Sequence, residues 1–239
     1  MSSKFKTENG ILIPVITTNQ MMEVDRIAIK ETGPNLFQMM ENAGRNLSQS
    51  VIGLTQNIDK PTIIVLAGTG GNGGGGIVAA RHLLNRNYDV KIAITDESRL
   101  KEIPKVQLVT YKNAGGIVLE NIEDIEADII VDAIIGYSLM NAPKGKSLEF
   151  IKWANQKNVK KISLDVPSGI DSTTGECYGE YFNTEITMTL ALPKSGLTET
   201  NCGEILLAYI VIPQKIYEMM GLAYDTPFKN EYVIPIRRA

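Results

Sequence analysis

Apolar positions recur every three or four residues over the first part of the chain, then change to short continuous runs. The first pattern predicts helices and the second predicts strands buried on both faces. Thr17 followed three positions later by Gln20 is a capping-box pattern, so a helix is expected over TNQMMEVDRIAIKE, ending near Gly33-Pro34. Leu36, Met39, Met40, Ala43 and Leu47 line one face of a second helix. From Pro61 onward the run TIIVLAG reads as a strand, and a glycine-rich segment then leads into a helix over IVAARHLLNR. KIAIT is a second strand, and VQLVTYKNAGGIVL holds a helix end and a short strand. ADIIVDAIIG, KKISLDVPSG, EITMTLALP and LLAYIVIP are further strands, with a helix over SLEFIKWANQK between the first two of these. PQKIYEMMG starts with Pro213 at a helix N-terminus. Residues 1 to about 16 read as a tail with one short apolar stretch.

Strand and helix alternate from residue 61. The expected architecture is α/β, a Rossmann-like three-layer α/β/α sandwich with a mostly parallel sheet and helices on both faces. No repeat or composition break divides residues 1–239, so one domain is expected: two N-terminal helices and a nucleotide-binding core.

Composition narrows the partners. The formal net charge of -3 lacks the basic excess of a nucleic-acid binder. Cys177 and Cys202 fall in no CxxC pair and read as free thiols of a reducing compartment. His82 is the single histidine, which excludes a multi-histidine metal centre; on a helix, it is expected to pack or cap. No apolar run approaches the roughly 20 residues that span a bilayer, and the polar N-terminus lacks a secretory h-region. A cytoplasmic protein with no membrane partner is expected.

In open parallel sheets, ligands sit beyond the carboxyl ends of the strands. Three strand ends here carry unusual residues. The segment AGTGGNGGGG, residues 67–76, has seven glycines in ten and contains GxGxxG at Gly68, Gly70 and Gly73. It lacks the Lys-Ser/Thr of a P-loop. Glycines let backbone N–H groups approach a ligand, and the following helix adds the positive end of its dipole, so a phosphate or pyrophosphate cradle is expected. Asp132 closes the second strand end; Asp165, with Ser168 and Asp171 after it, closes the third. An aspartate ending an apolar strand needs a partner or a cation. With Asn72 these residues offer oxygen and amide donors that suit a hard cation. Lys194, after another strand end, would contact a phosphate or neutralise the aspartates. Asp96 and Glu97 after KIAIT keep a dinucleotide-dehydrogenase alternative open.

At these residues the chain resembles the NAD(P)H-hydrate epimerase family, also called the YjeF N-terminal domain family. AGTGGNGGGGIVAARHL resembles the family's GxGNNGGDGxVAARHL, and VDAIIGYS its DAxFGxG. SLDVPSGIDSTTGE resembles SxDxPSGxDxxTG, LALPKSGL resembles its PKxGL strand end, and MENAG its opening helix pair. The resemblance implies interconversion of the two C6-hydroxyl epimers of hydrated NADH and NADPH, with repair completed by a separate dehydratase. It implies a potassium site at Asn72, Asp132 and Ser168. It implies a hydrate site at Gly71, Asn72, Gly73, Gly74 and Gly75, at Gly136, Tyr137, Ser138, Leu139, Met140, Asn141 and Ala142, and at Asp165, the expected catalytic acid and base. A homodimer is expected from the fold. Gly71 and Gly75 replace an asparagine and an aspartate of the family pattern, removing a polar side chain at each position. They leave open a catalytically degenerate scaffold, or an enzyme for another phosphorylated nucleotide.

Overall fold

The structure, a computed structural model, describes residues 4–239. Strand β3 (Thr62–Ala67) shows why the chain folds around one sheet. Its residues from Ile63 to Ala67 are fully buried: Ile63, Val65 and Ala67 face one layer of helices, Ile64 and Leu66 the other. Alternation on a strand sends neighbours to opposite faces, so a continuous apolar run demands cover on both. On one face lie α2 (Leu36–Thr55), α3 (Gly71–Leu84) and α4 (Glu102–Asn113). On the other lies α5 (Lys146–Gln156), through Phe150, Ile151, Trp153 and Ala154.

The remaining strands are β4 (Asp89–Ile94), β5 (Ile117–Leu119), β6 (Ile129–Ala133), β7 (Lys160–Leu164), β8 (Ile186–Leu190) and β9 (Glu204–Ala208). With β3 they are parallel, in the order β9-β8-β7-β6-β3-β4-β5. The mostly parallel sheet between helices is the one expected. Within the expected strands, IIG at 134–136 and DVPSG at 165–169 lie beyond the strand ends, in the loops that carry the site.

Three features differ from the sequence reading. Of the tail expected over residues 1 to about 16, residues 1–3 lie outside the described residues. The rest forms a hairpin of β1 (Lys4–Thr7) and β2 (Leu12–Pro14) on the sheet edge. It pairs with β10 (Val233–Arg238), an antiparallel strand against β9 that the sequence reading did not assign. Pro235 hides that strand, because a proline cannot donate to a ladder. β9 pairs over 233–236, while β1 pairs only from Ile236 onward, so the missing N–H falls beyond the β1 register. The third difference is helix α3, expected to begin at Ile77. It begins at Gly71, so most of the glycine-rich segment is helix and not loop.

Helix α1 (Thr18–Ile27) carries the foreseen cap: Gln20 N–H donates to Thr17 Oγ1 at 3.3 Å, and Thr17 N–H to Gln20 Oε1 at 2.9 Å. It continues as a π-helical turn over Ala28–Thr32. Met21, Val24 and Ile27 dock it on the core beside β1, β9, β10 and α7 (Gln214–Met219), whose N-cap is Pro213. A short helix, α6 (Glu199–Cys202), joins β8 to β9.

The glycines of α3 answer to packing. A Cβ on Gly73 would lie 1.9 Å from the Gly68 carbonyl oxygen, and one on Gly76 2.5 Å from Ala133 Cβ. A Cβ on Gly71 would meet nothing within 4 Å. We predict that Gly73→Ala loses more than about 2 kcal/mol of stability, through overpacking against backbone. Gly71→Ala, at the exposed first turn of the helix, changes it by less than about 1 kcal/mol and in the stabilising direction. Urea unfolding of the two variants checks the pair.

Candidate functional site

The site is assembled where β3, β6, β7 and β8 end. Asp132, at the end of β6, has no solvent exposure. Its carboxylate accepts from Ile134 N–H at 3.1 Å, Ser168 N–H at 2.8 Å, Ser168 Oγ at 2.6 Å and Ser163 Oγ at 3.0 Å. Burial pushes the carboxyl up to about 6, against the pull of those donors. Asp132 forms no ion pair among the described residues. Ser168, also fully buried, accepts from Ile135 N–H at 2.9 Å. Asp132 and Ser168 therefore knit the loop after β6 to the loop after β7.

One step further along the β6 loop, Tyr137 N–H donates to Asp165 Oδ2 at 3.1 Å. Asp165 follows β7 with φ 70, and Val166 N–H bonds back across it to the Leu164 carbonyl at 2.9 Å. This i→i+2 bond around a positive-φ residue is the strained form of γ-turn, which a native fold keeps where it serves a site. Its Oδ1 accepts from Leu190 N–H at 3.3 Å and is ion-paired with the Lys194 ammonium. Lys194 is fully buried and also donates to the Leu190 carbonyl at 2.8 Å. Of the two roles open to it from sequence, the structure places it against a carboxylate.

Gly136 is where the parts converge. A Cβ there would lie 3.0 Å from Asn72 Oδ1 and 3.1 Å from Asp165 Oδ2. A side chain would fill the space between the amide and the carboxylate, so only glycine leaves it open. Asn72 is half-buried in the first turn of α3, and its Nδ2 has no hydrogen-bond partner among the described residues. A buried amide donor without a partner is costly and marks a place for an acceptor from outside. The leading amides of a helix lack intrahelical partners, and here they belong to Gly71, Asn72 and Gly73; Gly74 N–H already bonds the Gly70 carbonyl at 3.0 Å.

The other expected residues are placed as follows. Gly74 and Gly75 are buried inside α3: a Cβ on the first would strike Met40 Sδ at 2.4 Å, one on the second Leu164 Cδ2 at 2.8 Å. Both side-chain directions point into packing. Ser138, Asn141 and Ala142 are exposed, Met140 is 85% exposed, and Leu139 is buried. Asp171 stays outside the site, its Oδ1 accepting from Thr173 and Thr174 N–H at 2.9 and 2.8 Å. Asp96 caps a short turn through Ser98, and Glu97 pairs with Lys112 at 2.6 Å on the surface. Both thiols are free, Cys177 exposed and Cys202 buried.

Sequence reasoning left out Ser163, which faces Asp132 from two residues before Asp165, and the anchors of Tyr137. The Tyr137 carbonyl accepts from Ser172 Oγ at 3.0 Å, and its phenol donates to Asp25 Oδ2 at 2.6 Å. The signal was present but faint: Thr18 and Asp25 are polar, seven apart, and on the same face of α1 as buried Met21.

Among the described residues, no cluster of three or more His, Cys, Asp or Glu side chains is spaced to hold a metal ion, and no helix is long and apolar enough to cross a membrane. A family model described as YjeF-related protein N-terminus matches residues 36–196. The chain is 46% identical to an NAD(P)H-hydrate epimerase of Dehalogenimonas lykanthroporepellens, over 98% of this chain and 97% of that one. It is 32% identical to a bifunctional NAD(P)H-hydrate repair enzyme of Moorella thermoacetica, over 84% of this chain and 41% of that one. A yeast protein of known crystal structure shares the fold, with a TM-score of 0.83 and 23% identity over 93% of this chain and the whole of that one.

His82 packs, as expected, and bears on α2. Its Nε2 lies 2.9 Å from Glu41 Oε1, beside the Arg81–Glu41 pair at 2.6 Å. Burial lowers its pKa below the ordinary imidazole value, outweighing the attraction of Glu41. The unfolded chain then binds the proton more readily than the folded one. Stability is thus complete above about 6.5 and is lost as pH falls through the folded value. We predict a single histidine ring resonance titrating below 6.5 in the proton NMR spectrum, and a urea midpoint that falls less on acidification in His82→Gln. A midpoint at or above 6.5 would contradict the assignment.

Proposed function

We propose that this chain, which belongs to the family of YjeF-related protein N-termini, interconverts the two C6-hydroxyl epimers of hydrated NADH and NADPH. The observation that carries the reading is the open space over Gly136, with Asn72 Oδ1 on one side and the Lys194-paired Asp165 on the other.

The chemistry follows from that arrangement. The C6 hydroxyl is lost with a proton as water, while the lone pair of the ring nitrogen forms the second bond of an iminium-like cation. Water then adds to the other face and gives up a proton. Each half-reaction needs one group that delivers and recovers a single proton. Asp165 and its ion partner Lys194 serve together as that group: the proton held on the ammonium at Oδ1 is passed through the carboxylate to the leaving hydroxyl and returns from the incoming water, while Oδ2, bonded to the Tyr137 amide, borders the open space. The carboxylate also faces the cation that forms, and in a site shielded from water this stabilisation is strong. The free amides at the start of α3 supply a place for the phosphates, and the unpartnered Asn72 amide donates to a ligand acceptor.

The residues also fit a potassium ion. Asp132 is a buried carboxylate without a cationic partner among the described residues, and Asn72 Oδ1 and Ser168 Oγ are hard neutral oxygens. When bound, the ion would offset the charge of Asp132 and strengthen the junction of the three loops. Gly75 removes nothing from this site, because a side chain there would point at Leu164 and Ala43. Gly71 opens the first turn of α3 and leaves the amides in place. A dehydratase specific for one epimer completes the repair; the bifunctional relative, of which this chain matches 41%, carries length for a second activity.

The test is turnover of a mixture of both NADH-hydrate epimers while such a dehydratase drains one of them. The slow epimer should vanish only when this protein is present. Asp165→Asn should lower kcat by at least about a hundredfold, as for loss of a general acid-base group, and should also lower the unfolding temperature, because it leaves the buried Lys194 ammonium without its carboxylate. Potassium should raise the unfolding temperature over sodium in the wild type but not in Asp132→Asn. Spontaneous-rate epimerisation at every protein concentration would reject the reading.

A further inference from the structure

The loop that orients Asp165 is held from outside the α/β core. Tyr137 has three polar groups, and each has a different task. Its N–H orients Asp165, its carbonyl accepts from Ser172 Oγ at 3.0 Å, and its phenol donates to Asp25 Oδ2 at 2.6 Å. Helix α1 reaches this residue twice. Thr18 Oγ1, 2.6 Å from Ser172 Oγ, lies 3.5 Å from the Tyr137 carbonyl oxygen, and Thr18 N–H donates to Thr173 Oγ1 at 2.9 Å. Two helical turns later Asp25 takes the phenol.

Asp25 is an awkward residue to keep for stability alone. It is half-buried, and burial pushes its carboxyl up from the ordinary range, against the phenol's hydrogen bond. No cation pairs with it among the described residues. Its chain neighbour Arg26 is turned outward to Glu23 and Glu31, each at 2.8 Å. Lys194 and Asp165 act on it only through space, and the Lys194 Nζ lies 6.0 Å from the Tyr137 ring centroid. An apolar residue at position 25 would avoid the desolvation cost. What the carboxylate gains is a charge-assisted, directional hold on one side chain.

We infer that Asp25 is a positioning residue of the hydrate site: through the Tyr137 phenol it fixes the loop amide that orients Asp165. Its kinetic consequence rests on the epimerase reading; its structural consequence does not. Helix α1 is then a splint, clamped to the core by Met21, Val24 and Ile27 and to the loop by Thr18 and Asp25. An orienting amide displaced by a fraction of an ångström misdirects Oδ2, and an error of about 1 Å can cost a hundredfold in rate.

The experiment uses the full chain and two variants. Asp25→Ala leaves the phenol without an acceptor, while Asp25→Asn keeps an oxygen for it. Amide hydrogen exchange over residues 136–142 is measured without substrate, and kcat and KM with the hydrated nucleotides. Asp25→Ala should exchange faster at Gly136 and Tyr137 and lose about ten- to a hundredfold in kcat, with a smaller change in KM. Asp25→Asn, which keeps an acceptor but not the charge assistance, should recover most of the exchange protection and of kcat, which a mere loss of charge would not do. An Asp25→Asn variant as impaired as Asp25→Ala overturns the inference. So does an Asp25→Ala variant that matches wild type in exchange and turnover. If wild-type protein leaves the hydrates untouched, the epimerase reading fails, and hydrogen exchange alone decides the role of Asp25.

Discussion

A carboxylate with no exposure and, among the described residues, no counter-ion, Asp132, sets the terms for the whole upper end of the sheet. Left unsolvated it would cost several kcal/mol, so donors must be brought to it. They come from three places: the end of its own strand (Ile134), the neighbouring strand β7 (Ser163) and the loop after β7 (Ser168). Once Ser168 is fixed, Ile135 N–H is fixed on its hydroxyl, and two residues on, Tyr137 N–H meets Asp165. The short loop Ile134–Tyr137 therefore reads two carboxylates through its backbone. The path of the loop to Gly136 follows from satisfying Asp132, and Asp165 is oriented by that loop together with Lys194 and the anchors of Tyr137.

The second constraint is close approach. Helix α3 lies so near the end of β3, β6 and α2 that side chains at Gly73, Gly74 and Gly76 would run into Gly68, Met40 and Ala133. Moving the helix outward to accommodate them would carry Asn72 away from Gly136. Glycine density therefore serves the site indirectly. A stretch that looks like a flexible phosphate loop is mostly the first two turns of a tightly packed helix, with a cradle shortened to the amides at its start.

What the sequence made legible follows the physics of burial. The strands from TIIVLAG to LLAYIVIP show themselves because both faces must be apolar, and the Thr17–Gln20 cap because its two partners are three residues apart. Asp132, Asp165 and Ser168 stood out as polar residues ending apolar runs. The hairpin β1–β2 and strand β10 did not. Each is short and partly exposed; the hairpin joins the sheet only through β10, more than 200 residues away, as Phe5 with Arg238, and β10 is interrupted by Pro235. Asp25 and Thr18 were hidden for a related reason. A polar residue on a helix looks solvated until the helix is seen against its partner. At Gly74 and Gly75 an added Cβ would point at Met40 and Leu164, which spacing along a chain does not reveal.

The charge arrangement ties these pieces to the reaction. Asp25, Asp132 and Asp165 are grouped at one end of the sheet, and Lys194 is the buried ammonium among them. A uniformly anionic ligand would be repelled from such a site. A molecule with phosphates at one end and a ring that becomes cationic at the other is matched by it, provided the two ends lie apart. On the proposed reading, the amides of Gly71, Asn72 and Gly73 would attract the first end through the helix dipole, and the Asp165 carboxylate the second. Lys194 keeps Asp165 from paying the full desolvation of a buried charge without neutralising the oxygen that borders Gly136. The polarity of the site is thus opposite at its two ends, and on the proposed reading it would favour the charge-separated state of the substrate over its neutral hydrate. That is the condition for lowering a barrier and not merely for binding.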